Sequence, residues 1–335
     1  MADSTLKQIA AELGVSVSTV SRAINGKSVV NADTRKRVLA LAAEYSYTPN
    51  EIARSLQKCS TETIAVVLPD ISETFFGTIV KEVDRVVSKE GYMLILADTH
   101  ERADKENKYL DMLYKRQVDA LVLATVDING ESSARFRSGK KPTIFIDNVP
   151  QVENVDAITI DNRQASFMAV DFLKKRGHKS IATIIGRESE TTGAERLAGY
   201  RDAVKKFRLT EDDRLIAFGD YKRESGYAVM KELLKSRKNV PFSAVFVTSE
   251  KMTYGALDAI KEAGLSVPED ISLIGFDVHE RYKGGHKIAS IRQPEKEIGR
   301  LVGKQLLERL KSPSVTVGHI MLPPILDEGE TVNFI

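Results

Sequence analysis

Leu6-Lys-Gln-Ile-Ala10-Ala-Glu-Leu-Gly14-Val-Ser-Val-Ser-Thr-Val20-Ser-Arg22-Ala-Ile-Asn25 is the stretch on which the amino-terminal fold turns. Ser4 or Thr5 is placed to cap a short helix, along one face of which fall Leu6, Ile9, Ala10 and Leu13. Gly14 ends that helix where a positive φ would cost a side chain most. Ser16 then caps a second helix that turns Val17, Val20, Ala23 and Ile24 to its side of the chain, with Ser18, Thr19, Ser21 and Arg22 around them. Ala10, Gly14 and Val20 let two short helices cross closely, the geometry of a helix-turn-helix whose second helix enters the major groove of DNA. Those three positions alone would equally suit a helical hairpin in a core.

Outward from it, Asn31-Ala-Asp-Thr34-Arg-Lys-Arg-Val38-Leu-Ala-Leu-Ala-Ala-Glu-Tyr45 predicts a third helix, with Thr34, Arg35 and Lys36 near its start able to meet phosphates. Pro49 and Asn50 stop it, and Asn50 can cap a further short helix through Ile52, Ala53 and Leu56. The runs Thr19-Val-Ser-Arg22, Tyr47-Thr-Pro-Asn50 and Ala53-Arg-Ser-Leu56, with Asn25, Thr34 and Arg35, resemble the lactose/galactose repressor family of bacterial transcription regulators. The likeness continues along nearly the whole chain.

That resemblance implies an all-α helix-turn-helix DNA-binding head over residues 1–48 and a hinge helix over 49–60. The hinge helix of such proteins folds when two subunits sit together on operator DNA. Its leucine wedges between base pairs in the minor groove, which places Leu56 there and Ala53 toward the groove floor. Val17 is expected to meet a thymine methyl, Ser18 a base edge and Arg22 a guanine. Thr5, Ser16, Thr19, Ser21, Asn25, Thr34, Tyr47 and Asn50 complete the expected DNA-contacting set.

Charge supports a head distinct from the rest. Residues 1–60 carry eight Lys/Arg against five Asp/Glu, whereas the remainder is close to neutral in a chain of net charge +2. A small basic head on a neutral body suits phosphate contact by the head alone, although the excess is modest. At 335 residues two or three domains are expected. One cysteine, Cys59, leaves no internal disulfide framework and fits a reducing cytosol. Neither an export signal nor a run of about twenty apolar residues is found, so a cytoplasmic, nucleoid-associated protein with no membrane contact is expected.

From residue 63 the pattern changes to short apolar runs without alternation, each followed by a helical stretch. Thr63-Ile-Ala-Val-Val-Leu-Pro69, Met93-Leu-Ile-Leu-Ala97, Ala120-Leu-Val-Leu123 and Thr143-Ile-Phe-Ile146 form one set, with helices near 73–89, 105–116 and 132–137. Ile181-Ala-Thr-Ile-Ile185, Ala244-Val-Phe-Val247 and Ile271-Ser-Leu-Ile-Gly-Phe276 form a second, with helices near 193–207, 225–235 and 252–263. A helix around 295–310 and the strand-like His319-Ile-Met-Leu322 follow. Such runs indicate parallel sheets covered on both faces. The body over 61–335 is therefore expected to be α/β and periplasmic-binding-protein-like, made of two doubly wound parallel-sheet subdomains. The first takes about 61–160 plus 293–322, the second about 161–292 plus 323–335.

Ligands in such folds lie beyond the carboxyl ends of the strands, in the cleft between the halves. The resemblance marks Phe75 and Phe76 as ring-stacking positions, Arg196 of Thr192-Gly-Ala-Glu-Arg196 as lining the pocket, and Asp147, Thr192, Tyr221, Ser249, Asp277 and Gln293 as further effector contacts. Arginine and carboxylate forks beside an aromatic platform suit a sugar or sugar derivative. Two departures narrow this: Thr248-Ser-Glu250 lacks the amide usual there, and Glu190 stands where purine-responsive relatives place an arginine, which argues against a purine.

The rival reading is a sugar-binding protein or sugar-handling enzyme with the same body. Five histidines (100, 178, 279, 286 and 319) are scattered without metal spacing, and no nucleophile elbow or P-loop appears, so neither catalysis nor a cofactor or metal is expected. The expected mechanism is a homodimer on a pseudo-palindromic operator whose grip is altered by a small molecule in the cleft. The end of the sequence, Asp327-Glu-Gly-Glu-Thr-Val-Asn-Phe-Ile335, has no heptad run, which favours a dimer over a coiled-coil tetramer.

Overall fold

The computed structural model describes residues 2–25, 30–47, 60–279, 281, 285–312 and 318–335. The chain divides into two compact units, residues 1–62 and 63–335.

In the first unit, α1 spans Ala2–Leu13, α2 Val17–Ile24 and α3 Ala32–Glu44. Gly14 separates α1 from α2 at φ +65°, where a Cβ would be strained. The Ser16 hydroxyl accepts from the Thr19 N–H at 3.1 Å, and Asn31 Oδ1 accepts from the Asp33 N–H at 2.9 Å, so both later helices start on a side-chain cap. Ile9, Ala10, Val20, Ala23, Val38 and Ala42 form a shared core, and Tyr45 of α3 donates to Glu12 of α1 at 2.8 Å. Thr5 lies inside α1 rather than at its start, so the expected cap at Ser4 or Thr5 is not formed by Thr5. Of the hinge expected over 49–60, only Ser60 is described; Asn50, Ala53 and Leu56 lie outside the described residues.

The second unit holds two six-stranded sheets. β1 (Thr63–Leu68), β2 (Met93–Asp98), β3 (Ala120–Leu123), β4 (Thr143–Ile146), β5 (Asp156–Ile160) and β11 (His319–Leu322) run parallel in the order β11-β5-β4-β3-β1-β2. β6 (Ile181–Ile185), β7 (Ile216–Phe218), β8 (Ala244–Val247), β9 (Ser272–Phe276), β10 (Ala289–Arg292) and β12 (Ile325–Asp327) follow the order β12-β10-β9-β8-β6-β7, with β12 alone antiparallel to its neighbour.

Side-chain parity explains the layers. On β1, Ile64, Val66 and Leu68 face α4 (Thr74–Val87) and α11 (Glu295–Lys311), while Ala65 and Val67 face α5 (Ala103–Lys115) and α6 (Ala134–Ser138). In the second sheet, α7 (Asn162–Lys175) and α8 (Thr191–Phe207) cover one face and α9 (Arg223–Ser236) and α10 (Glu250–Glu262) the other. α11 approaches α4 so closely that a Cβ on Gly303 would stand 2.7 Å from Val86 Cβ. The chain crosses between the sheets after β5, after β10 and after β11. Among the described residues no helix is long and apolar enough to cross a membrane.

The body departs from the sequence reading in its less apolar elements. β5 and β10 mix Asp, Thr, Ser and Arg into short runs, while β7 and β12 are three-residue edges; α7 carries little net hydrophobicity. These do not stand out as buried strands or amphipathic helices, since the apolar-run signal needs burial on both faces. The short helix expected at 132–137 forms two residues later, at Ala134–Ser138.

Candidate functional sites

In the head, α2 buries Val20 and Ala23 and leaves Val17, Ser18 and Arg22 exposed. Arg22 has no ion pair among the described residues, so its guanidinium is available to an external acceptor. Ser16 and Thr19 bond each other at 2.8 Å, and the Asn25 amide reaches the Ser21 hydroxyl at 3.4 Å. These four polar side chains are therefore engaged within the helix, while Ser16 and Asn25 keep exposed atoms. Thr34 is partly exposed at the start of α3, and Tyr47 packs against the head's own core.

In the body, the carboxyl ends of both sheets converge on one cleft. Every effector position expected from sequence lines it: Phe75, Phe76, Asp147, Thr192, Arg196, Tyr221, Ser249, Asp277 and Gln293. The cavity, open mouth included, holds about 680 Å³. Asp147, Tyr221 and Asp277 take left-handed backbone angles of φ 59°, 68° and 55° immediately past strand ends or in the loop following one. Such angles are uncommon outside glycine and collect at functional sites.

Arg196 is the buried cation of the cleft. Its Nε donates to Asn162 Oδ1 at 2.8 Å and its Nη1 to the Thr248 carbonyl at 2.8 Å, with the guanidinium stacked 3.7 Å from the Phe276 ring centre. It is thus positioned by an amide and a carbonyl rather than by an ion pair. Asp277 accepts the Gln293 backbone N–H at 2.8 Å on Oδ1 and the Gln293 amide at 2.7 Å on Oδ2. Burial outweighs these bonds and raises the Asp277 carboxyl above the usual range. Ser249 caps α10, accepting from the Met252 N–H at 3.3 Å, which ties its hydroxyl to the helix while the residue still borders the cavity. Phe75 and Phe76 are core residues first, buried and edge-to-face at 5.0 Å, with only their margins on the cleft.

Tyr221 donates or accepts at 3.2 Å with the Thr192 hydroxyl, and its ring lies so close to Gly186 that a Cβ there would overlap it. Burial raises the Tyr221 phenol further above neutrality, so it acts as a neutral hydrogen-bonding group.

Sequence reasoning missed the residues that bridge the cleft. Arg187, after β6, reaches Glu101 of the first subdomain at 2.5 Å and Glu190 at 2.9 Å. Lys251, in α10, pairs with Asp70 and reaches the Ser72 hydroxyl at 3.0 Å. Burial would raise Asp70, but the bonds from Lys251 and Ser72 prevail and hold its carboxyl below the usual range. Glu73 also lines the cavity, and burial pushes its carboxyl up to about 8. Asp147 is pushed up to about 6, chiefly by burial, with Arg196 opposing and Glu190 and Asp277 adding.

Residues 5–50 match the family described as bacterial regulatory proteins, lacI family, and residues 61–318 match periplasmic binding proteins and sugar binding domain of LacI family. The chain belongs to the LacI family. It is 30% identical over 321 residues to catabolite control protein A of Priestia megaterium, covering 95% of this chain and 96% of that protein. It is 32% identical over 319 residues to the HTH-type transcriptional repressor CytR of Escherichia coli (strain K12), covering 95% and 93%. Among solved structures it is similar to the transcriptional regulator CelR-cellobiose complex (TM-score 0.74, 29% identity, 97% and 99% covered). It is also similar to the Lac repressor bound to ONPG in the repressed state (TM-score 0.82, 25% identity, 96% and 98% covered).

LacI-family members are transcription regulators, not enzymes, with a helix-turn-helix head and a two-subdomain α/β body. Among the described residues no group of His, Cys, Asp and Glu is arranged to hold a metal ion. The signal that would have found Arg187 and Glu101 was weak: each is one charged residue in a polar loop, and their pairing depends on the two subdomains meeting.

Proposed function

We propose that this regulator is a repressor that binds a pseudo-palindromic operator as a homodimer, under allosteric control by a sugar or sugar derivative in the cleft. The observation that carries the control is the cleft itself: Arg196, Asp277 and Gln293 present fixed polar groups beside Phe276, Phe75 and Tyr221. Such an arrangement satisfies ring hydroxyls while an apolar sugar face rests on aromatic carbon. CelR was solved with cellobiose, and the Lac repressor with ONPG, which supports sugar chemistry for this cleft.

The head supplies the operator contacts, with Val17, Ser18 and Arg22 reading base edges and Thr5, Ser16, Thr19, Ser21, Asn25, Thr34 and Tyr47 placing the helix on the backbone. Residues 49–60 serve as the hinge between head and body, with Leu56 wedged in the minor groove, Ala53 toward its floor and Asn50 among the DNA contacts. The protein works in the bacterial cytoplasm on nucleoid DNA.

The dimer reading rests on the sheet edges. On the edge strand β2, Met93 and Leu96 are 60% and 50% exposed, and Phe218 on the edge strand β7 is 45% exposed. Apolar side chains along unpaired strand edges are a liability that a second copy removes.

The experiment is an operator titration. Genomic fragments are selected by the protein at low salt, and a hit fragment is titrated with and without sugars found by a thermal-shift screen. A regulator gives one preferred palindromic site, affinity that falls steeply with salt, and a sugar that shifts that affinity. A sugar that is consumed, with no preferred site, would favour the enzyme reading.

A further inference from the structure

The charges around the cleft do not balance. Asp70 is answered by Lys251, and Glu101 and Glu190 by Arg187. Asp277 is held by both donors of Gln293, with the charge of Arg196 nearby. Glu250, which also borders the cavity, accepts from the Tyr254 hydroxyl at 3.3 Å, and Glu73 and Asp147 remain. Neither carboxylate has a hydrogen bond or ion pair among the described residues, although both line the cavity and are surrounded by protein except where the cleft opens. The two belong to different strand ends, Glu73 ahead of α4 and Asp147 after β4. Lys251 opposes the burial of Glu73 and Arg196 that of Asp147, but each cation is shared with a second acid. The acids outnumber them, with Asp147, Asp70 and Glu101 around Glu73, and Glu190 and Asp277 around Asp147.

A neutral sugar closing this cleft would strip the last water from two carboxyls that no hydrogen bond answers, and would supply no charge to the one that is ionised. Hydroxyl donors compensate part of that loss, but an unpaired buried anion remains costly. A ligand carrying an ammonium beside its hydroxyls removes the imbalance with charge-assisted bonds. We infer that the effector is a protonated amine on a polyhydroxylated frame, of the amino-sugar class, with its ammonium placed between Glu73 and Asp147 and its ring against Tyr221, Phe276 and Arg196.

This deepens the reading of the cleft as the effector site and rests on it. The raised carboxyls, about 8 for Glu73 and about 6 for Asp147, add a signature. Near neutrality the Glu73 carboxyl retains its proton while Asp147 is largely ionised, and an arriving ammonium displaces the Glu73 proton.

The test is isothermal titration of the full-length protein near neutral pH with D-glucosamine, D-galactosamine and D-mannosamine. Each is run beside its N-acetyl form, which keeps the frame and loses the charge, and beside its parent hexose. At least one amine is expected to bind about tenfold or more tighter than both neutral counterparts. Its binding heat should change between two buffers of different ionisation enthalpy, reporting proton release. In a Glu73→Gln/Asp147→Asn double variant, checked for folding by circular dichroism, that preference should vanish and the N-acetyl form should bind at least as well as the amine. Neutral sugars binding as tightly as their amines would overturn the inference and leave the sugar cleft standing. Silence from all nine compounds would overturn both.

Discussion

The Asn148 amide clamps the two subdomains to each other through Thr192: its Oδ1 accepts the Thr192 backbone N–H at 3.2 Å and the Thr192 hydroxyl at 3.0 Å. The Thr191 hydroxyl donates to the same Oδ1 at 3.2 Å and Nδ2 donates to Glu190 at 2.9 Å, so one buried side chain just past β4 serves four groups at the start of α8. Replacing it with Ala leaves the Thr192 N–H without its partner inside the protein, while Glu190 keeps Arg187 and the Thr192 hydroxyl keeps Tyr221. Leaving a buried polar group unsatisfied costs about 1–3 kcal/mol, so Asn148→Ala should lower the melting temperature of the body measurably. It should also weaken effector binding, because the closed arrangement loses more than an open one. Calorimetry and effector titration of the variant check both; an unchanged melting temperature would mean that water replaces the amide.

At the cleft's other bridge, Lys251 and Asp70 are each about a third exposed or less, so their pairing is only partly screened. Lys251→Met should cost at most about 1 kcal/mol in stability, as half-exposed pairs do. Its clearer effect should be kinetic. With the bridge removed, the ligand-free cleft opens more often and effector association speeds up, which stopped-flow mixing reads directly. A variant with unchanged association would show that Lys251 does not limit entry.

Glu73 and Asp147 also set a pH dependence, and its sign is opposite to that of a paired carboxylate. Their folded values, about 8 and about 6, lie above the ordinary values of 4.5 for Glu and 3.8 for Asp, so the native state holds more protons between those limits. Stability of the ligand-free protein contributed by these groups is therefore fully present at low pH and declines as pH rises from about 4 through 8. Glu73→Gln should flatten the alkaline part of that decline and raise stability at pH 8 by about 1–3 kcal/mol. Melting curves across pH in matched buffers are the measurement, and a variant parallel to the native protein would mean that Glu73 ionises freely.

Residue by residue, what was legible in the sequence followed from local geometry. Ser16 and Gly14 announce their helix boundary because a cap hydroxyl and a positive φ are short-range demands. Asp277 is legible as a cleft residue because the apolar strand before it leaves no other place for the carboxylate than the strand's carboxyl end. Glu73, Glu101 and Arg187 were not legible, since their roles arise from opposition across a gap between segments up to 86 residues apart. Phe75 and Phe76 were only half legible: position marked them for the cleft, but packing spends most of each ring on the core.

The edge strands give the oligomer a direct test. Met93 and Leu96 on β2 and Phe218 on β7 are apolar where an isolated body would place polar gatekeepers. Charged replacements, Leu96→Glu with Phe218→Glu, should weaken self-association by well over about tenfold, since an unpaired charge is then buried at the interface. Each body should still fold, because neither side chain belongs to its core. Sedimentation across a concentration series reads the change. If the double variant sediments as the native protein does, the dimer uses another surface.

Arg22 tests the head by itself. It stands exposed on α2 with no competing acid among the described residues, while Val20 and Ala23 on the same helix are buried, so truncating it removes a reading group without disturbing packing. A bidentate arginine–guanine contact contributes about 1–3 kcal/mol of discrimination, or about 5- to 150-fold between matched and mismatched sites. Arg22→Ala should therefore bring selected and scrambled operators closer together in affinity by that factor. Non-specific binding should fall much less, and the slope of affinity against salt should change little, because a base contact rather than a phosphate contact is lost. Effector binding in the body should be unaltered. Footprints and salt titrations on the two DNAs separate the cases: equal losses on both would make Arg22 a phosphate anchor instead of a base reader.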